Sequence, residues 1–322
     1  MKKILRNIRI IISILLNKHI LRKPEFSEKV LFLNGKLMAE YNKDKTTIGS
    51  LKDVEFSVFS QFGEDGIIDW IVNKMPAIEK TFIEIGTQDY WESNTRFLLK
   101  MKNWKGYLFE ASKKDILKIK SQRIYWQHKI KAIQAFVNKE NIDELIAQNI
   151  KEKNIGLLSI DIDGNDYWIL QAIKGISPFI IVCEFNSIFG DKFKLSVPYD
   201  KDFKRNEKHH SNLYFGSSIK ALISLLNDKG YTFIGTGSRG VNAFFIKDEF
   251  KSSFLNDIKE IKIFPSTTRE ARNFKGKLTF NDAISEINNI QGLEVFDFDE
   301  SKTKKISEYE DLYSEEWKSF FK

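Results

Sequence analysis

Acidic side chains follow the first two apolar runs of this 322-residue sequence, at points where β-strands would end. Glu84 and Gly86 close the first run, and Glu110 closes the second, 24 residues after Gly86. In open α/β sheets, ligands bind outside the carboxyl ends of the strands. A carboxylate about 20 residues beyond a glycine turn is the usual partner of ribose hydroxyls. The spacing therefore predicts a site for a cofactor that contains a nucleoside.

The residues after Gly86 decide between two such cofactors. A dinucleotide needs a Gly-x-Gly-x-x-Gly turn, but residues 87–92 read Thr-Gln-Asp-Tyr-Trp-Glu and contain no glycine. S-adenosylmethionine has no phosphate, and its ammonium, sulfonium and ribose can all bind carboxylates such as Glu84 and Glu110. Its carboxylate could meet the free amides of a helix start at Ser93 and Asn94. Ordinary helix capping by Ser93 is the alternative.

A second set of oxygen ligands follows the fourth and fifth apolar runs. Asp161 and Asp163 are two residues apart, and so are Glu184 and Asn186, so each pair shares one face of a strand. Together they could bind Mg²⁺, which prefers carboxylates and water. The alternatives are that one acid, Asp163, is a general base, or that these groups bind substrate or loop amides without a metal.

His209 and His210 are a further candidate source of acid and base chemistry near neutral pH. They lie in a polar loop, where paired histidines are also common without function. The surrounding segment 200–212 is rich in lysine and arginine and is predicted to be a lid that suits an anionic acceptor. A plain solvated loop is the alternative.

The elements that must position these residues alternate between short apolar runs and helical patterns, which is typical of a mostly parallel sheet covered on both faces. The predicted strands are 81–85, 106–109, 130–136, 155–162, 179–185, 231–236 and 241–246. The predicted helices are 65–75, 94–101, 113–119, 141–150, 166–173 and 217–228. Only four residues separate the last two strands, so these must form an antiparallel hairpin. The predicted fold is α/β, a seven-stranded doubly wound sheet that ends in this hairpin.

Composition excludes several classes of protein. The charge of +7 is mild, and 42% hydrophobic residues indicate a globular domain rather than a disordered chain. The single cysteine, Cys183, lies in an apolar run, forms no intramolecular disulfide and favours a cytoplasmic location. No interleaving of basic and aromatic residues indicates a nucleic-acid partner.

The chain is predicted to divide into four parts. Residues 1–23 carry seven lysines and arginines and no acid, with isoleucines on one side of a helical projection. They predict a basic amphipathic helix that docks peripherally on the inner membrane, or else packs on the domain or on a partner subunit in a homo-oligomer. Residues 24–54 are predicted as a helical segment, 55–249 as the catalytic domain and 250–322 as a polar C-terminal appendage.

The stretch from Ser60 to about Asp248 resembles the FkbM-type family of S-adenosylmethionine-dependent methyltransferases, over roughly 190 residues. The resemblance rests on the order of short motifs: 60–66 Ser-Gln-Phe-Gly-Glu-Asp-Gly, Glu84 with Gly86, 93–95 Ser-Asn-Thr, 104–106 Trp-Lys-Gly before Glu110, 160–164 Ile-Asp-Ile-Asp-Gly, and 240–245 Gly-Val-Asn-Ala-Phe-Phe. It implies a Rossmann-like class I methyltransferase fold, in which Gln61 and Asp65 also border the cofactor site. Asp161 is counted with the cofactor-binding residues as well. The sequence departs from the family where Thr87-Gln88-Asp89 replaces the commoner Ala-Asn-x-Gly.

Together these observations predict methyl transfer to a hydroxyl, on a small molecule, a saccharide or a cell-surface glycan precursor. The alternative is a non-catalytic Rossmann-like module that binds a partner through residues 250–322. Acids at most of the strand ends argue against this alternative, because clustered carboxylates repel one another and a scaffold does not need them.

Overall fold

A computed structural model describes residues 24–75, 77–281 and 283–320. The basic amphipathic helix predicted for residues 1–23 lies outside the described residues.

The centre of the molecule is a seven-stranded sheet with the order β3-β2-β1-β4-β5-β8-β7. Its strands are β1 Thr81–Ile85, β2 Lys105–Glu110, β3 Ile130–Gln134, β4 Asn154–Ile160, β5 Ser177–Glu184, β7 Tyr231–Thr236 and β8 Asn242–Lys247, and β6 Leu195–Ser196 lies outside it. The first five strands are parallel, and β8 runs antiparallel to both β5 and β7. The predicted sheet and its terminal hairpin are confirmed.

Helices cover both faces of this sheet. They are α1 Pro24–Lys43, α2 Glu64–Asn73, α3 Arg96–Lys102, α4 Lys113–Ser121, α5 Arg123–Gln127, α6 Ile142–Asn149, α7 Asp166–Ala172, α8 Arg205–Lys208, α9 Ile219–Asp228, α10 Lys251–Asp257, α11 Ala283–Glu286 and α12 Glu315–Phe320. Short 3₁₀ turns lie at Leu51–Val54, Ser187–Phe189, Asp248–Phe250, Ile287–Asn289 and Ile306–Glu308. Among the described helices, none is both long and apolar enough to cross a membrane.

Alternation along β1 shows how the two faces are filled. Ile83 and Ile85 pack in one core cluster with residues of α6, α7 and α9. Phe82 packs in the other cluster with residues of α2, α3 and α4. Successive side chains of a strand point to opposite faces, so a strand covered on both sides is apolar throughout. This burial fixes the register of β1 and the position of the residues that follow it.

The C-terminal residues pack onto the domain through a second, three-stranded sheet. In it, β9 Glu294–Asp297 pairs with β6 and with β10 Lys302–Lys305. Val295 and Trp317 are buried in the same cluster as the central sheet. The weak periodicity of residues 250–322 did not predict these strands. They are short, and β6 and β9 are about a hundred residues apart in sequence.

Candidate active site

A cleft opens at the carboxyl ends of β1 to β4. Its lining comprises Ile85, Gly86, Gln88, Phe109, Glu110, Ala111, Ala135, Phe136, Val137, Asp161, Ile162, Asp163, Asn165 and Phe203. One part of this lining is apolar and the other part carries carboxylates and amides. Such a cleft suits a ligand with a flat apolar ring and several polar groups. Of the predicted cofactor residues, the structure brings together Gly86, Glu110 and Asp161.

Gly86 sits where the ends of β1 and β4 approach most closely. Its φ is +85°, and a Cβ atom on it would lie 1.7 Å from the backbone oxygen of Asp161. Its N–H donates a hydrogen bond to the Phe109 carbonyl at 3.0 Å. Only glycine combines this backbone conformation with so close an approach. The turn leaves the floor of the cleft free of side chains.

Glu110 stands at the end of β2 on the edge of the cleft. One carboxylate oxygen accepts the Gln88 N–H at 2.8 Å, and the other accepts the Ser112 N–H at 2.7 Å. A carboxylate has about four acceptor positions, so two remain for a ligand. The backbone amides therefore orient Glu110 as an acceptor for a pair of hydroxyls, which is the arrangement that a ribose presents.

Three carboxylates converge beside this cleft. Asp161, Asp163 and Glu184 each place an oxygen within 4.8 Å of the others. Asp163 has a φ of +55°, which is uncommon for a residue with a side chain. The Asp166 carboxylate holds this turn by accepting the N–H groups of Ile162 at 2.9 Å and Gly164 at 3.0 Å. We call Asp161, Asp163 and Glu184 the acidic cluster.

Burial raises the pKa of both Asp161 and Glu184 well above the ordinary range of carboxyl groups. The charge of Asp163 adds to the rise of the pKa of Asp161, and the charge of Asp161 adds to that of Glu184. Within the described residues, Glu184 Oε2 has no hydrogen-bond partner. Two adjacent buried carboxyls resist losing both protons unless a cation joins them. This pair is therefore suited to hold a proton or a cation.

Arg205 supplies the positive charge next to the acidic cluster. Its guanidinium pairs with Asp163 and with Glu270, the latter at 2.7 Å, and lies 3.8 Å from the centre of the Phe215 ring. Arg205 belongs to the predicted lid, whose Phe203 lines the cleft. The lid stays a prediction, and Phe203 is the residue of this segment that reaches the cleft. The positive charge of Arg205 is matched by acids, which removes one reason to expect an anionic acceptor.

Glu84 occupies a different place from the one predicted. Its carboxylate accepts hydrogen bonds from the Ser93 hydroxyl at 2.6 Å, from the Asn94 N–H at 3.0 Å and from the Thr95 hydroxyl. Ile85 lines the cleft, so its neighbour Glu84 points to the opposite face of the sheet. Glu84, Ser93 and Asn94 do not line the cleft, and they fix the loop that leads into α3.

Asp65 also serves a loop rather than the cleft. One carboxylate oxygen accepts the N–H groups of Val58, Phe59 and Ser60 at 2.7, 2.6 and 3.1 Å. Burial raises the pKa of Asp65 to about 7, against the opposing effect of these three amides. Gln61 is exposed in a groove beside α1. The placement of both residues in the cofactor site does not agree with the geometry of the cleft.

Asn186 was predicted as a metal ligand, but its side chain is used elsewhere. Its amide nitrogen donates to the carbonyls of Leu213 at 2.8 Å and Phe215 at 2.9 Å. Its amide oxygen accepts the Ile188 N–H at 3.1 Å. The group of acids close enough to share an ion does not extend to it. Asn186 therefore joins two loops and is not a ligand in this arrangement.

The two histidines also lie outside the cleft lining. His209 Nδ1 is 2.7 Å from the Ser211 hydroxyl, and the His210 ring stacks on Phe274. Burial and the neighbouring His210 lower the pKa of His209, which favours the neutral ring. Neither histidine lines the cleft, so the acidic cluster is the nearer source of a base.

Sequence reasoning missed residues that line the cleft without carrying a chemical signal. Ala135 to Val137 follow β3 and form part of the apolar wall. The strand-end rule points to them, but they contain no polar side chain. Asn165 also lines the cleft, and its buried amide oxygen has no hydrogen-bond partner among the described residues. It is a further candidate ligand-binding residue.

We expect Glu84→Ala to lower the free energy of unfolding by about 2 kcal/mol, because it leaves buried donors unpaired. Urea denaturation measures the change. Glu92→Ala is the control, since Glu92 is an exposed acid of the same loop. An effect of Glu84→Ala no larger than that of Glu92→Ala would contradict this role.

Comparison with known proteins agrees with the geometry. Residues 113–233 match the family model described as the methyltransferase FkbM domain. The matched residues make up less than half of the chain. The matched residues include β3, β4 and β5 and the acidic cluster. No curated protein matches the sequence.

Solved structures resemble the fold at low identity. The N-terminal domain of EvdMO1 with SAH bound has 9% identity and a TM-score of 0.40, over 59% of this chain and 82% of that chain. The O-methyltransferase from Bacillus cereus in complex with SAH has 14% identity and a TM-score of 0.40, over 72% and 94%. Fibrillarin from Aeropyrum pernix with S-adenosyl-L-methionine has 10% identity and a TM-score of 0.35, over 53% and 68%. Likeness at this level says nothing about the substrate.

Proposed function

We propose that the protein binds S-adenosylmethionine in the cleft and transfers its methyl group to a hydroxyl. The observation that carries the proposal is the pairing of the Gly86 turn with Glu110 at the edge of a cleft next to the acidic cluster. Glu110 would accept the ribose hydroxyls, and the wall formed by Phe109 and Ala135 to Val137 would pack against the adenine. The FkbM match supports methyl transfer.

The acidic cluster then lies where a methyl acceptor would enter. During transfer, the bond from sulfur to the methyl carbon breaks while a bond from that carbon to the acceptor oxygen forms. The hydroxyl proton must leave, and the pair Asp161 and Glu184 can accept it. Most of the rate enhancement would come from holding the two reactants in line.

A magnesium ion is a variant of this proposal. Three carboxylates within 4.8 Å offer the oxygen ligands that Mg²⁺ prefers, although Arg205 would have to give up part of its contact with Asp163. The ion would lower the pKa of the acceptor hydroxyl and orient its oxygen. The acids that would bind it are Asp161, Asp163 and Glu184, without Asn186.

For the acceptor we propose a saccharide or a cell-surface glycan precursor, methylated in the cytoplasm. Beside the cluster, a narrow cavity is lined by polar groups that include Ser266, Thr268 and Glu270. Hydroxyl, amide and carboxylate groups of this kind can bind a polyhydroxylated molecule. Because no lysine or arginine among the described residues lines this cavity, it favours an uncharged part of such a molecule.

Calorimetric titration with S-adenosylhomocysteine tests the cofactor site. We expect the wild type to bind it and Glu110→Ala to bind it more than tenfold more weakly, because a hydrogen bond to a carboxylate contributes about 1.5 to 3 kcal/mol. Glu144→Ala, at an exposed acid of α6, should bind like the wild type. If the folded wild type does not bind S-adenosylhomocysteine, the alternative of a non-catalytic module gains support.

A further inference from the structure

The helix α1 has two apolar sides. On its inner side, Phe32, Gly35 and Ala39 pack toward Phe59 and Phe97. The outer side carries four large apolar residues. Their exposed fractions are 42% for Val30, 57% for Leu33, 62% for Leu37 and 65% for Tyr41. We call these four residues the outer stripe.

The spacing of the outer stripe is that of a binding face. Its members are separated by three and four residues, so at 3.6 residues per turn they line up along one side of α1. Isolated apolar residues are common on protein surfaces, but a continuous row of them marks an interaction site. The core does not account for these residues, because the inner side of α1 already packs against it.

One exposed tryptophan lies beside the beginning of α1, and a second lies on α5. Trp91 lines a groove together with Lys29 of α1 and Arg123 of α5, and its side chain is 50% exposed. Trp126 of the same α5 is 74% exposed. Tryptophan beside lysine and arginine is typical of surfaces that lie at the boundary between lipid headgroups and acyl chains.

The sequence that immediately precedes α1 is basic. Residues 1–23 end directly where α1 begins, and they contain seven lysines and arginines and no acid. A second copy of the protein would bring like charges together. An anionic bilayer matches both the charge and the apolar row.

We propose that the outer stripe is a docking surface for an anionic lipid bilayer. This surface is separate from the cleft and does not depend on the proposed methyl transfer. Docking there would hold the protein at the membrane surface.

Sedimentation of the full-length protein with vesicles tests the proposal. The vesicles contain phosphatidylcholine alone or mixed with phosphatidylglycerol. We expect the wild type to bind the mixed vesicles. The double variant Leu33→Glu, Leu37→Glu should bind them at least about tenfold more weakly, since each exposed leucine contributes apolar area to the bilayer contact. Leu278→Glu is the control, because Leu278 is a partly exposed leucine of the C-terminal segment.

Four results would overturn the proposal. They are absence of wild-type binding, equal binding of both vesicle types, an unchanged double variant, and equal loss of binding in the double variant and in Leu278→Glu. Thermal unfolding establishes that the variants are folded. Light scattering after gel filtration separates a further case: a wild-type dimer that the double variant converts to a monomer, without vesicle binding, would assign the outer stripe to a second copy instead.

Discussion

Replacement of Gly86 by alanine is expected to lower the free energy of unfolding by about 4 kcal/mol and to abolish binding of S-adenosylhomocysteine. Two costs add in this variant. A side chain in the left-handed region is strained by about 1 kcal/mol or more. The new Cβ would also lie 1.7 Å from the Asp161 backbone oxygen, so β1 and β4 must move apart at the floor of the cleft. Urea denaturation and calorimetry measure the two effects.

Gly276→Ala is a matched control for this experiment. Gly276 has a φ of +69°, close to that of Gly86, but a Cβ on it would meet no atom within 4 Å. The control therefore measures backbone strain alone, about 1 kcal/mol, and should leave ligand binding unchanged. Similar losses of stability in the two variants would show that the contact with Asp161 is unimportant.

The sheet was predictable because its strands are long, apolar and separated by amphipathic helices. The predicted bounds of β1 and β7 agree with the structure at both ends, and the bounds of the other sheet strands differ by one or two residues. The strands β6, β9 and β10 were missed. A two-residue strand has no periodicity, and its pairing with β9 depends on contacts between distant parts of the chain.

The site was predictable only where residue type and position in the fold agree. Gly86, Glu110 and Asp161 follow strands and line the cleft. Glu84 has the same residue type as Glu110, but it lies one residue before the end of β1 and points to the other face. Asn186 was misassigned for a related reason, since its backbone partners come from a loop about 30 residues later. The ion pair of Arg205 with Asp163 likewise joins residues that no local pattern connects.

Glu184→Gln is expected to stabilise the protein at pH 8. In the wild type, burial and the charge of Asp161 raise the pKa of Glu184, so the folded protein keeps a proton that the unfolded chain releases at lower pH. Stability conferred by that proton is present at acidic pH and is lost as the pH rises toward the folded pKa. Glutamine has no such proton to lose, so the variant does not lose this stability as the pH rises.

Urea denaturation at pH 5 and pH 8 measures this effect. The difference in unfolding free energy between Glu184→Gln and the wild type should be small at pH 5 and large at pH 8. Buried acids away from the acidic cluster, such as Asp65 with its pKa raised to about 7 by burial, change both proteins alike and cancel in the difference. Glu144→Gln, at an exposed acid, should show no difference at either pH. A difference in unfolding free energy that is equal at both pH values would show that ionisation of the acidic cluster does not destabilise the folded protein.

Repeating the pH 8 measurement with Mg²⁺ decides between the two roles of the acidic cluster. A bound cation stabilises the folded state in proportion to its occupancy. If the ion belongs to the site, Mg²⁺ should stabilise the wild type and have a smaller effect on Glu184→Gln, because one of three carboxylate ligands is lost. If both proteins respond alike, the cluster does not bind the ion. The pair Asp161 and Glu184 would then act as the proton acceptor. The lower stability of the wild type at pH 8 would result from the repulsion between these two poorly solvated carboxyl groups.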